Sequence, residues 1–204
     1  MRLSTIVSVL ALLFSGYSLW ETSLKRSELK VFVPPVIRYA SPLQNSNFEV
    51  FSIPVTISNE GARAGTVMAM DLMVRDPQNN VTKHFYSGDF GNWTRERGLN
   101  GDLRPFAPVA VPGRASYSDT VTFYSRTEET VMQIVQAAGH FEFTITLDVA
   151  PSEHFGPVDR FWRQVPEPLT FEMELPNLDH RAFTSGGGTL ALHHKNWQTS
   201  VQSD

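Results

Sequence analysis

The run HFEFTITLDV, His140 to Val149, constrains this chain more than any other stretch. Phe141, Phe143, Ile145, Leu147 and Val149 alternate with Glu142, Thr144, Thr146 and Asp148. Strand side chains point to opposite faces with a period of two, so the segment predicts a strand with one apolar and one wet face. The pattern recurs. Phe51, Ile53, Val55 and Ile57 alternate with small or polar residues, Asn59-Glu60-Gly61 interrupts, and Met68, Met70, Leu72 and Val74 resume it. Strands are expected over about 48–58 and 65–76, with a tight turn at Asp76 to Asn80 and a return strand from Val81 to Tyr86. Leu29 to Val33 reads as a first strand stopped by Pro34-Pro35, which cannot donate to a ladder, and Val36 to Tyr39 suits an edge.

Gly88 to Pro112 reads as a long irregular stretch. After the turn at Pro112-Gly113, a strand places Tyr117, Val121 and Phe123 on one face and Ser116, Ser118, Thr120 and Thr122 on the other. Ser125 or Thr127 can cap a helix with Glu128 and Glu129 in its first turn; Val131, Ile134, Val135 and Ala138 form its apolar stripe, and Gly139 stops it. LTFEMEL, Leu169 to Leu175, alternates again. From Asn177 the pattern is lost, and TLALHHKNW allows at most one loose strand beyond Gly186-Gly187-Gly188.

These elements predict a mainly β chain. Its apolar faces must cover one another, which points to an antiparallel β-sandwich with one short crossover helix. The expected organisation is a span over 1–22, a charged connector over 23–28, the β domain over 29–176 and a flexible C-terminal tail over 177–204. A hydrophobic content of 41% against 19% charged is enough for most of the chain to fold.

The span rests on Leu3 to Trp20, 18 residues without a charge. As a helix this run rises about 27 Å, near the short limit for a bilayer core. Tyr17 and Trp20 suit the interfacial belt. A cleaved signal peptide is the competing reading, with Gly16-Tyr17-Ser18 as its small-x-small site. Two features favour an uncleaved anchor: Arg2 alone supplies the positive n-region, and the apolar run continues through the site. Lys25, Arg26 and Lys30 follow the span, so the positive-inside rule favours a cytoplasmic domain, with a periplasmic or extracellular one left open. Ser4, Ser8, Ala11, Ser15 and Ser18 fall on one helical stripe of small residues, where a second helix, from a partner or another copy, can approach closely.

Charge and chemistry exclude several classes. Residues 1–30 carry four basic and two acidic side chains, leaving 13 basic and 19 acidic in the remainder. Such a domain is a poor nucleic-acid binder, because phosphate neutralisation needs clustered cations. There is no cysteine, hence no disulfide, thiolate nucleophile or cysteine-ligated metal. His193 and His194 are adjacent and diverge on a strand, so no metal site is expected from the histidines. Gly-x-Ser-x-Gly is absent, and TSGGGT lacks the lysine of a phosphate loop. Glu172 and Glu174 share a strand face and could do acid–base work, although a wet sheet face has the same composition. The aromatic residues outside the expected strands, Trp93, Phe106, Phe155, Phe161 and Trp162, are interface candidates or plugs for the ends of the core.

PVTISNEGARAGTV (Pro54 to Val67), PVAVPGRASYSDTVTF (Pro108 to Phe123) and AGHFEFTITLDV (Ala138 to Val149) together resemble the immunoglobulin-like sandwich of a group of uncharacterised bacterial single-pass membrane proteins. The resemblance covers about residues 1–175. It implies the sandwich, an N-terminal span and a basic connector, and brings no catalytic residue and no cofactor. The expectation is a membrane-anchored, non-enzymatic domain that binds another protein or assists envelope assembly. A secreted or periplasmic binding module and an enzyme with an unrecognised site stay open as alternatives.

Overall fold

The computed structural model describes residues 3–40, 47–92, 103–126, 133–135, 139–151, 165–175 and 189–194. Helix α1 (Leu3–Leu19) runs without a break into a π-helical turn, Trp20–Leu24. The helix and turn include a candidate membrane span, Thr5–Leu24, with a mean hydropathy of 1.3 and no burial against the domain. Then come β1 (Leu29–Phe32), β2 (Val36–Ala40), β3 (Val50–Asn59), β4 (Gly65–Asp76), β5 (Val81–Phe90), β6 (Arg104–Pro105), β7 (Val109–Val111), β8 (Ser116–Ser125), β9 (Gly139–Val149), β10 (Leu169–Leu175) and β11 (Thr189–His194).

Every pairing among them is antiparallel. The ladder runs β5-β8-β3-β2-β11-β10-β9-β4, and β4 returns to β5. The expected facing sheets are thus joined at both margins into one nearly closed sheet, with their apolar faces turned inward. Phe51 lies at the centre, with Phe85 at 5.0 Å and Phe143 at 5.4 Å, both edge to face, and Tyr39 at 4.9 Å. Phe143 also stacks on Phe171 at 5.3 Å. Alternation accounts for this core: Ile53, Val55, Ile57, Leu72, Val74, Phe141, Phe143 and Ile145 are all buried.

Four local features depart from the sequence expectation. First, β2 is not an edge, because it lies between β3 and β11. β1 and β2 line the same side of β3, and across Pro34-Pro35 the register slips: Ser52 faces Arg38, where an unbroken β1–β3 ladder would give it Val36. Second, β5 continues to Phe90, past a register shift between Ser87 and Asp89 where it pairs with β8. Gly88 permits that approach; a Cβ there would sit 2.5 Å from the Tyr124 ring. Third, Thr189–His194 is a strand between β2 and β10, so a flexible tail does not describe these six residues. Fourth, the crossover helix falls largely on residues outside the described set, and within it Gln133, Ile134 and Val135 are not helical. The backbone N–H groups of Ile134 and Val135 are instead bound to the buried Glu49 carboxylate.

Candidate functional sites

The end of the domain next to α1 is built around Asn59, which is 1% exposed. Its Oδ1 accepts from Glu28 N at 3.1 Å and Gly61 N at 3.0 Å. Its Nδ2 donates to the carbonyls of Arg63 at 2.8 Å and Val111 at 3.1 Å. One amide therefore ties the connector, the 60–63 loop and β7 together, with all its donors and acceptors used. Further main-chain bonds add to it. Lys25 C=O accepts from Ala62 N and Arg63 N, both at 3.0 Å, and Glu28 C=O accepts from Glu60 N at 2.9 Å. Arg114, at φ 57°, donates from Nη2 to the Glu21 carbonyl at 2.5 Å and lies 3.5 Å from its carboxylate. Glycine is required where loops meet: a Cβ on Gly61 would be 1.7 Å from the Arg26 carbonyl oxygen, and one on Gly113 1.9 Å from that of Ala62. The chain leaving the helix is thus bound into the domain rather than hanging from it.

A second constellation is internal. Glu49 and Lys83 are both 0% exposed and form an ion pair of 2.5 Å. The carboxylate also accepts from Tyr39 Oη at 2.6 Å and from the backbone N–H of Ile134 at 3.0 Å and Val135 at 3.4 Å. Lys83 Nζ donates to Asn47 C=O at 2.7 Å and lies 5.8 Å from the Phe85 ring centre. Ser125 Oγ accepts from Glu49 N at 3.1 Å and donates to Asn47 C=O at 2.9 Å. No buried side-chain polar atom among the described residues lacks a partner. With its groups mutually satisfied and shut off from solvent, the cluster acts as a structural rivet. The sequence carried a signal for it that was missed: Lys83 is in phase with Phe85, and Glu49 with Phe51, so two opposite charges occupy inward positions.

On β8, Tyr124 Oη on the outer face donates to Asp89 at 2.6 Å, and Tyr117 Oη, at the margin of the core on the other face, donates to Asp119 at 3.0 Å. Burial first, then the hydrogen bond to Asp89 and its charge, push the Tyr124 phenol far above its usual range. Burial and Asp119 raise Tyr117 in the same way. An open groove of about 510 Å³ lies between β1 and residues 165–169, with Phe32 and Val165 exposed beside it.

The residues singled out from sequence fare as follows. Ser4, Ser8, Ala11, Ser15 and Ser18 all lie on α1, and the four from Ser8 onward are exposed. Phe106 packs on Phe90 at 4.7 Å and so plugs the edge of the core. Trp93, Phe155, Phe161 and Trp162 lie outside the described residues. Glu172 is exposed and faces Glu142 across the β9–β10 pair; Glu142 lies 3.4 Å from Arg75, and Glu174 lies 4.0 Å from His140. These carboxylates belong to a solvated outer face. No group of three or more His, Cys, Asp or Glu able to hold a metal occurs among the described residues.

No family model matches the chain, and no curated protein does. Among solved structures, it is similar to the X-ray structure of the Northeast Structural Genomics Consortium target SoR45, at 18% identity over 70% of this chain and 84% of that one, with a TM-score of 0.34. It is also similar to a Bordetella pertussis protein given the name ApaA, at 16% identity over 84% of this chain and 97% of that one, with a TM-score of 0.29. At such scores the fold rests on the strand pairing described above.

Proposed function

We propose that this chain is an uncleaved, single-pass membrane protein whose β domain is a non-enzymatic interaction or envelope-assembly module. The observation that carries the reading is the continuity of helix and domain. Gly16-Tyr17-Ser18 lies inside α1, which runs on into the π-helical turn Trp20–Leu24, and Lys25 N closes that turn on Trp20 C=O at 2.8 Å. Signal processing needs an accessible peptide after a short apolar run. Here the following residues are engaged in helix and then bound to the 60–63 and 112–115 loops. Lys25, Arg26 and Lys30 favour a cytoplasmic domain.

Support for a non-enzymatic role comes from chemistry. The buried charged pair is saturated by its partners, and the exposed carboxylates sit on a wet sheet face. The kinship with single-pass immunoglobulin-like proteins suggested by the sequence agrees with a mainly β domain placed directly after a span. The test is the intact mass and fractionation of the natural protein. An anchor keeps residues 1–18 and stays in the membrane through carbonate washing. A soluble product beginning near Leu19 would overturn the proposal in favour of a secreted binding module.

A further inference from the structure

We propose that the groove between β1 and residues 165–169 is a strand slot, and that Lys195 to Gln198 fill it by continuing β11. The inference goes beyond the proposed function and stands whether or not the helix is an anchor. β2 and β10 both pair with β11, so they lie two ladder spacings apart, about 9–10 Å. The same two margins run on past His194. On one side β1 follows β2 along β3; on the other, β10 meets the described part of β11 only at Met173 and Glu174 and extends back to Leu169. The groove opens where these margins face each other.

The β1 margin is a strand edge. Glu60 N donates to Glu28 C=O at 2.9 Å, and Leu29 faces Asn59. Bonded and non-bonded pairs alternate along an antiparallel ladder, so Lys30 and Phe32 bond to β3 while Leu29 and Val31 turn their N–H and C=O groups toward the groove. Among the described residues β1 pairs with β3 alone. Such an edge is a template for another strand. The register names the occupant. His193 pairs with Glu174 and His194 with Met173. Counted onward, Lys195 falls opposite Glu172, Asn196 opposite Phe171, Trp197 opposite Thr170 and Gln198 opposite Leu169. Four residues thus span the margin. Glu172 is on the wet face, so Lys195 meets a carboxylate there as an opposite-charge cross-strand pair. Trp197 takes the same face, the one on which Phe32 of β1 is 49% exposed. Asn196 and Gln198 take the inward positions, and their amides suit a groove lined in part by Ser27 and Glu28.

The chain has no cysteine, so two introduced ones report on register without interference. The experiment uses the full chain in nanodiscs, carrying Thr170→Cys with Trp197→Cys, under mild oxidation. The slot predicts a disulfide within one chain. It should form several-fold faster than in a control pairing Thr170→Cys with Thr199→Cys, two residues out of register, because a disulfide tolerates little extra separation. A second reading leaves every described residue unchanged: a chain stopped after His194 should exchange its Leu29 and Val31 amides several-fold faster than the full chain. A cross-link that forms only between two chains would overturn the proposal and give the slot to a second copy. Equal cross-linking in the two cysteine pairs, with equal amide exchange in the two chain lengths, would overturn it as well and leave β1 as an edge for a strand of another protein. If the cysteine variants do not fold, the amide comparison decides alone.

Discussion

Replacing Lys83 with Met tests the buried rivet most sharply. Both members of the Glu49–Lys83 pair are 0% exposed, and a carboxylate stripped of its counter-charge in that setting costs about 3–5 kcal/mol. For a domain of this size, one kcal/mol corresponds to about 2–4 °C in Tm, so a fall of about 6–20 °C is expected. The informative variant is the double one, Lys83→Met with Glu49→Leu. Replacing both members of a buried pair by apolar residues is often neutral or stabilising. Here it should not be, because the Glu49 carboxylate also serves Tyr39 Oη and the Ile134 N–H. Two buried donors would be left without their acceptor, at about 1–3 kcal/mol each. The double variant should therefore stay about 2–6 kcal/mol below the unmodified protein in urea unfolding, a range set by those two donors. Hydrogen exchange at Ile134 gives an independent reading: its amide should lose protection whenever Glu49 is replaced by Leu. A double variant as stable as the parent, with Ile134 still protected, would refute the idea that this carboxylate holds the 133–135 segment.

Phe143→Ala should cost about 3–5 kcal/mol, because the ring is fully buried between Phe51 and Phe171, while Glu142→Ala on the outer face should cost little; equal losses in denaturant unfolding would contradict the half-buried strand. Asn59→Asp removes the amide donors to the Arg63 and Val111 carbonyls, and should both lower Tm and speed tryptic cleavage after Lys25 and Arg26, as read by mass spectrometry. Tyr124 should resist ionisation in an alkaline absorbance titration, and Asp89→Asn should bring its midpoint down while burial keeps part of the rise. Because an unfolded tyrosine loses its proton near pH 10 and the native Tyr124 keeps it, stability from this group is present below about pH 10 and is lost as pH rises further. Ser8→Leu with Ala11→Leu should abolish cross-linking of the span to a second helix if the small stripe is a packing face, whereas leucines at Val7 and Val9 should not; unchanged cross-linking would make the stripe incidental.

The strands were legible wherever one face was wet. β9 and β10 match their expected bounds to within a residue, because their inward rows of Phe, Ile and Met alternate with Glu and Thr. Legibility failed where the period broke for a local reason. The end of β5 was read as loop, since Ser87-Gly88-Asp89 looks like turn chemistry, yet the glycine is there to let the Tyr124 ring lie against the strand. β11 offers only Leu190 and Leu192 as an alternating pair, too little to stand against three preceding glycines. The rivet was hidden because charges are normally assigned to the wet face, and its signal was their phase relative to Phe51 and Phe85. Asn59 was read as a strand terminator, which it is; that its side chain also ties the connector to β7 depends on residues far away in sequence.

The place of β11 bears on how the chain is made. Ile37, near the start of the domain, pairs with Leu192, near the end of the sequence. During synthesis the margin of β2 that meets β11 must wait, unpaired, until residues 189–194 have left the ribosome. Pairing across such sequence separation is slow and leaves strand margins exposed meanwhile. Residues 189–194 therefore complete the sheet late, and a nascent chain truncated before Thr189 would leave the β2 margin that meets β11 without its partner, its N–H and C=O groups open to pairing with another strand.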